Sequence, residues 1–203
     1  MAGNATEQTD FARLVMLACH DLRTPLATVL GFTQTLERLD QLEEPASRYL
    51  EMIGAASGQI GDLVDELSLG ARIEAGRYEP VREELDTREL ARAAAEQLGA
   101  ERVETGGDGG RVEVDARATK RAVTALARCA LRHGGLEQVK LTAHEQHLEL
   151  GPVTAAAAPV LLGEDLRDLG AAIAVRQIRA QGGSVELEGD QLIVRLVARG
   201  IAA

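Results

Sequence analysis

The sequence is poor in aromatic side chains. Phenylalanine and tyrosine occur twice each and tryptophan not at all, and all four aromatics (Phe11, Phe32, Tyr49, Tyr78) precede residue 80. Any core beyond that point has to be built from Ala, Val, Leu and Ile. A basic excess is also missing. The net charge is −10, which argues against nucleic acid, whose binders need a basic stripe, and against an anionic membrane surface. No apolar run approaches the ~18 residues of a membrane-spanning helix. The polar start MAGNATEQTD has no apolar segment of the kind a secretory signal carries. The expected location is therefore the cytoplasm, with no membrane insertion and with any sensor domain on another chain. The two cysteines, Cys19 and Cys129, are too far apart for a metal-ligand spacing, and a reducing compartment disfavours a disulfide between them. Both are expected as small buried apolar groups.

What is present fits 203 residues of ordinary globular composition, 45% apolar and 27% charged, enough for one large domain or two small ones. Residues 1–9 read as a tail. Thr9 is a candidate helix cap, with Asp10 in the first turn. From Phe11 to about Leu39 apolar residues recur every seven: Val15, Leu22, Val29, Leu36 in one row and Ala18, Pro25, Phe32, Leu39 in the other. These are the a and d positions of a heptad. A turn is expected at Asp40–Glu44, and Pro45 suits the first position of a second helix. That helix carries Ile53, Ile60 and Leu67, with Ala56 and Leu63, and ends near Gly76. Its glycines Gly54, Gly58 and Gly61 each cost about 1 kcal/mol against Ala, so it needs tertiary packing. Two helices of this length cannot cover their own apolar stripes, and a homodimeric four-helix bundle can.

Residues 77–85 read as a linker, after which the pattern changes to alternating helix and strand. Asp86 and Glu89 suggest a capping box for a helix to Leu98. Short strands are expected at Arg102–Glu104 and Val112–Val114 around a glycine turn at Gly106–Gly110, then a helix over Ala116–Arg132. A hairpin at Val139–Ala143 and Leu148–Leu150, a loop over Gly151–Gly163, a helix over Glu164–Gln181 and a last hairpin around Gly189-Asp190 complete an α+β sandwich over residues 86–203.

The chemistry concentrates in His20-Asp21-Leu22-Arg23-Thr24-Pro25-Leu26. His20 falls at heptad position f, away from the seam, and Thr24 lies one turn on. Pro25 removes the backbone bond to the carbonyl of Asp21, so a kink is expected just past the histidine. A neutral imidazole is a nucleophile, and a carboxylate that accepts a proton from one ring nitrogen strengthens the other. Exposure lets a phosphoryl donor approach in line. Met16 and Leu17 lie near the same face and suit either docking of a partner or packing against the second domain; Arg23 is a further docking candidate.

The string resembles the H-box of bacterial sensor histidine kinases. Leu67-Ser68-Leu69 followed by Arg72-Ile73-Glu74-Ala75-Gly76 resembles the segment that closes the second helix in that family. The resemblance implies a dimerisation and phosphotransfer hairpin at residues 10–76. His20 would be the phosphoacceptor, Asp21 the base, and Thr24 the residue that orients water when a partner's aspartyl phosphate is hydrolysed. It also implies that residues 86–203 take the family's ATPase (Bergerat-like) fold. There the helix around Ala122–His133 resembles the N-box, but Ala125 and Cys129 stand where active members have asparagine, and Asn4 is the chain's sole asparagine. The Asp-x-Gly-x-Gly loop has no counterpart in Gly151–Ala158, and a single glycine, Gly170, remains of the last glycine motif. No Lys or Arg lies between Lys140 and Arg167, so a triphosphate would meet carboxylates. ATP is not expected to bind.

The expectation is thus a phosphorelay protein passing phosphoryl groups between His20 and response-regulator receivers, which supply the magnesium. The alternatives are a kinase with a diverged ATP site and a non-catalytic scaffold binding a receiver. His144 and His147 flank a short turn but show no third ligand at this level, and are expected as surface residues.

Overall fold

A computed structural model describes residues 2–38, 44 and 46–197, and the chain divides into two compact units between Arg77 and Tyr78. The first is a helical hairpin of α1 (Ala2–Glu37) and α2 (Ala46–Glu74). Helix α1 starts well before Thr9, so Thr9 lies within the helix and the expected tail is largely helical. It also runs through Pro25 without a break. Leu39, Pro45 and residues 40–43 of the expected turn lie outside the described residues.

The hairpin's inner seam is made of small side chains. Ala12, Cys19 and Thr33 of α1 are buried, as are Ser57, Val64, Gly70 and Ala71 of α2. A methyl group at Gly54 would just touch Cγ2 of Thr33 at 3.4 Å, and one at Gly61 would touch Cδ2 of Leu26 at 3.5 Å. Two of the three costly glycines therefore sit where the helices approach closely. The large apolar residues point elsewhere: Leu22, Val29, Phe32 and Leu36 on α1 and Ile53, Ile60, Leu63 and Leu67 on α2 are exposed, Phe32 to 67%. Those are the heptad rows read from the sequence.

The second unit contains β1 (Arg82–Asp86), α3 (Thr87–Leu98), β2 (Val103–Gly106), β3 (Arg111–Asp115), α4 (Ala116–Gly134), β4 (Val139–Ala143), β5 (His147–Gly151), α5 (Ala158–Leu161), α6 (Leu169–Ala180), β6 (Ser184–Glu188) and β7 (Gln191–Arg195). Five strands form a sheet in the order β2-β4-β5-β7-β6, with β2 parallel to β4 and the remaining pairs antiparallel. Alternate strand residues such as Val103, Leu141, Leu148, Leu150, Leu192 and Val194 join Leu90, Leu126, Val175 and Ile178 of the helices in one core free of aromatics. Side-chain caps start the three long helices of this unit: Asp86 accepts from the Arg88 N–H, Asp115 from Ala118 and Asp168 from Ala171.

Four expectations need correction. The segment expected as a linker contains β1, which pairs with β3. Strands β2 and β3 do not form a hairpin, since β2 pairs with β4 and β3 with β1. The glycine segment carries the chain from one sheet to the other, using positive φ at Gly107 and Gly109, and the Gly109 N–H donates to the Ala143 carbonyl. The expected loop after Gly151 contains α5, whose Val160 and Leu161 are fully buried. The last helix begins at Leu169, not Glu164, because the N–H groups of Glu164 and Asp165 turn back to the Pro159 carbonyl and Asp168 is the cap.

Candidate functional site

In the hairpin, His20 and Asp21 extend from α1 into solvent, their side chains 78% and 69% exposed. Nδ1 of His20 lies 3.2 Å from Oδ1 of Asp21. With a proton on Nδ1 held by the carboxylate, the lone pair on Nε2 points outward. Thr24 is exposed one turn on, and its carbonyl accepts from the Thr28 hydroxyl at 3.1 Å. Cys19, directly before the histidine, is fully buried, and burial raises its thiol pKa above the usual value. The helix thus turns a small residue inward and the histidine outward at consecutive positions.

Leu17 is exposed and Met16 half-buried. Arg23 is engaged within the hairpin: its guanidinium donates to Oδ1 of Asp65 on α2 from Nε at 3.2 Å and from Nη2 at 2.9 Å. This pair ties the two helices together one turn from the histidine.

In the second unit, the positions that resemble a nucleotide site meet where α4 runs beside the start of α6. Ala125 and Cys129 are buried in α4, and Gly170 is the second residue of α6. The Cys129 thiol is pushed up to about 12, first by burial and then by the Asp168 carboxylate. It is a neutral, space-filling group. The α6 N-terminus, where backbone N–H groups could hold an anion, is taken up by Asp168. The segment between β5 and α6 packs Val153, Ala157, Val160 and Leu161 into the core.

One grouping escaped the sequence reading. His144 and His147 close the β4–β5 turn, and Glu149 lies two residues on along β5. Strand alternation puts His147 and Glu149 on one face, and the antiparallel register brings His144 opposite His147. The signal was available in the order His-x-x-His-x-Glu across a tight hairpin.

An exposed histidine with a carboxylate neighbour on a two-helix hairpin, followed by an α/β unit with this sheet, defines the core of a two-component phosphotransfer protein. Residues 12–76 match the family model of the His Kinase A (phospho-acceptor) domain, and the chain as a whole resembles a sensor histidine kinase core, with an ATPase-like second unit. It is 34% identical over 175 residues to histidine protein kinase DivJ of Caulobacter vibrioides, a match covering 78% of this chain and 28% of that protein. The chain thus spans less than a third of the length of this curated relative. Two solved structures share the fold: full-length ShkA in complex with AMPPNP (TM-score 0.66, 22% identity, 92% of this chain and 46% of that one) and the Acinetobacter baumannii histidine kinase AdeS (TM-score 0.55, 18% identity, 89% and 98%). Among the described residues no helix is long and apolar enough to cross a membrane.

Proposed function

We propose that this chain is a dimeric histidine phosphotransfer protein that exchanges phosphoryl groups between His20 and the aspartates of response-regulator receivers without using ATP. One contrast carries the reading: the His20–Asp21 pair is whole and exposed, whereas the nucleotide positions are filled by a buried neutral thiol and a capped helix start. In the transfer, Nε2 of His20 attacks the phosphorus of an aspartyl phosphate. The P–N bond forms, the P–O bond breaks, and the receiver's aspartate leaves as a carboxylate. Asp21 holds the Nδ1 proton and stabilises the positive charge that develops on the ring. Magnesium belongs to the receiver.

The exposed rows on α1 and α2 support a homodimer, since a second copy brings an identical apolar surface to them. Incubation with a phosphorylated receiver should put acid-labile phosphate on the wild-type chain and none on His20→Ala. Labelling that persists in His20→Ala would overturn the assignment.

A second reading is supported by DivJ, a histidine protein kinase similar over 78% of this chain. It makes the chain an ATP-using kinase. That reading requires His20 to be labelled from ATP with no receiver present.

A further inference from the structure

The turn between β4 and β5 carries two imidazoles and a carboxylate in an arrangement that hydrogen bonding alone does not account for. The rings of His144 and His147 stack with centroids 4.4 Å apart and planes 10° from parallel. Both Nε2 atoms approach the same carboxylate: His144 Nε2 is 3.3 Å from Oε2 of Glu149, and His147 Nε2 is 3.4 Å from Oε1. Nε2 of His144 is shielded from solvent yet has no hydrogen-bond partner, because its direction does not suit the nearby oxygen. A buried ring nitrogen left in that state costs free energy that a ligand would recover.

We propose that His144, His147 and Glu149 bind a divalent first-row transition-metal ion of the Zn2+ type. One coordinating atom from each of the three residues lies within 4.8 Å of the others. Around a tetrahedral ion with bonds of about 2.0–2.1 Å, neighbouring ligand atoms stand roughly 3.3–3.4 Å apart; each Nε2 already stands at that distance from its own oxygen of Glu149, and a small turn of the carboxylate and rings presents a single oxygen to both. Two imidazoles and a carboxylate leave a fourth position for water, as in open zinc sites.

The scaffold holds the ligands in place. The His144 N–H donates to the His147 carbonyl at 2.9 Å, closing the turn. The His144 carbonyl accepts from the buried Thr87 hydroxyl at 2.7 Å, and the same hydroxyl accepts from the Gly110 N–H. The glycine segment thereby clamps the turn from outside, which preorganises the site. Two open clefts, of about 770 and 560 Å³, are both lined by His144, and His147 lines the smaller one. Arg195, the β7 neighbour of His147, lines the smaller cleft and donates to Glu188 at 2.8 Å. A second group, Cys129, His133 and Asp168, is similarly compact. There His133 and Asp168 face each other at 3.2 Å and Asp168 caps α6.

Calorimetric titration of the metal-free full chain with Zn2+ tests the site, paired with Co2+ absorption spectra. One ion should bind per chain. Removing a ligand should cost at least the roughly tenfold lost when a supporting residue is removed. His147→Ala and Glu149→Gln should each show that loss, His144→Ala with His147→Ala should abolish binding, and Cys129→Ala with His133→Ala should retain it. Circular dichroism checks that each variant is folded. Bound Co2+ should give visible ligand-field bands without thiolate charge transfer. Absence of Zn2+ binding, unchanged binding in the double histidine variant, or a thiolate band lost in Cys129→Ala would each overturn the proposal.

Discussion

Asp168 reaches two elements with one carboxylate: Oδ2 lies 3.2 Å from Nε2 of His133 on α4, while Oδ1 accepts from the Ala171 N–H at the start of α6. The arrangement places negative charge at the start of α6, the helix end whose N–H groups would otherwise suit an anion. Magnesium-ATP should bind with a dissociation constant above about 100 μM, weaker than roughly −5.5 kcal/mol, by calorimetry. Asp168→Ala should lower stability by about 1 kcal/mol in urea unfolding through loss of the cap, without creating an ATP site.

The residues around His20 should separate into roles. Asp21→Asn should slow phosphoryl uptake from a receiver by about 10²–10⁴, the usual worth of a positioned base. Thr24→Ala should spare uptake and weaken hydrolysis of the receiver's phosphate, which alone needs a positioned water. His20→Ala should change stability by no more than about 0.5 kcal/mol, because its side chain is exposed. Single-turnover transfer assays and urea melts check these outcomes.

Val29→Glu combined with Phe32→Glu should convert a dimer into a monomer at micromolar concentration, read by light scattering. Four apolar side chains per dimer leave the interface, a loss of about 6 kcal/mol or more, and the carboxylates that replace them resist burial.

The Cys129 thiol gives a pH signature. Its folded pKa is raised to about 12 against an ordinary value of 9.0, so the folded state disfavours the thiolate. The stabilisation is fully present below pH 9 and is lost as pH rises through about 12. Urea melts should show stability falling over that window, with a flatter slope in Cys129→Ala. At pH 8 iodoacetamide should leave Cys129 unmodified until the chain unfolds.

The parts of this molecule legible in its sequence are those set by local repetition. The seven-residue spacing of Leu22, Val29 and Leu36 locates their surface, and the capping residue Asp86 marks the start of α3. What escaped depends on partners distant in sequence. Val112 and Val103 look alike as strand residues, yet pair in different sheets, because Gly107 and Gly109 let the chain leave one for the other. Glu149 became a partner of His144 only once the β4–β5 register was known. The pairing of Arg23 with Asp65 became visible only once α2 was placed beside α1.

The seam of α1 and α2 has a consequence for dilute solutions. With Ala12, Cys19, Thr33, Ser57 and Gly54 between the helices and Phe32, Ile53 and Ile60 outside, the proposed second copy would supply most of the apolar burial available to the hairpin. Its melting temperature should then climb with protein concentration, as mass action requires when folding and pairing are one event, so that for this hairpin dilution acts as a denaturant.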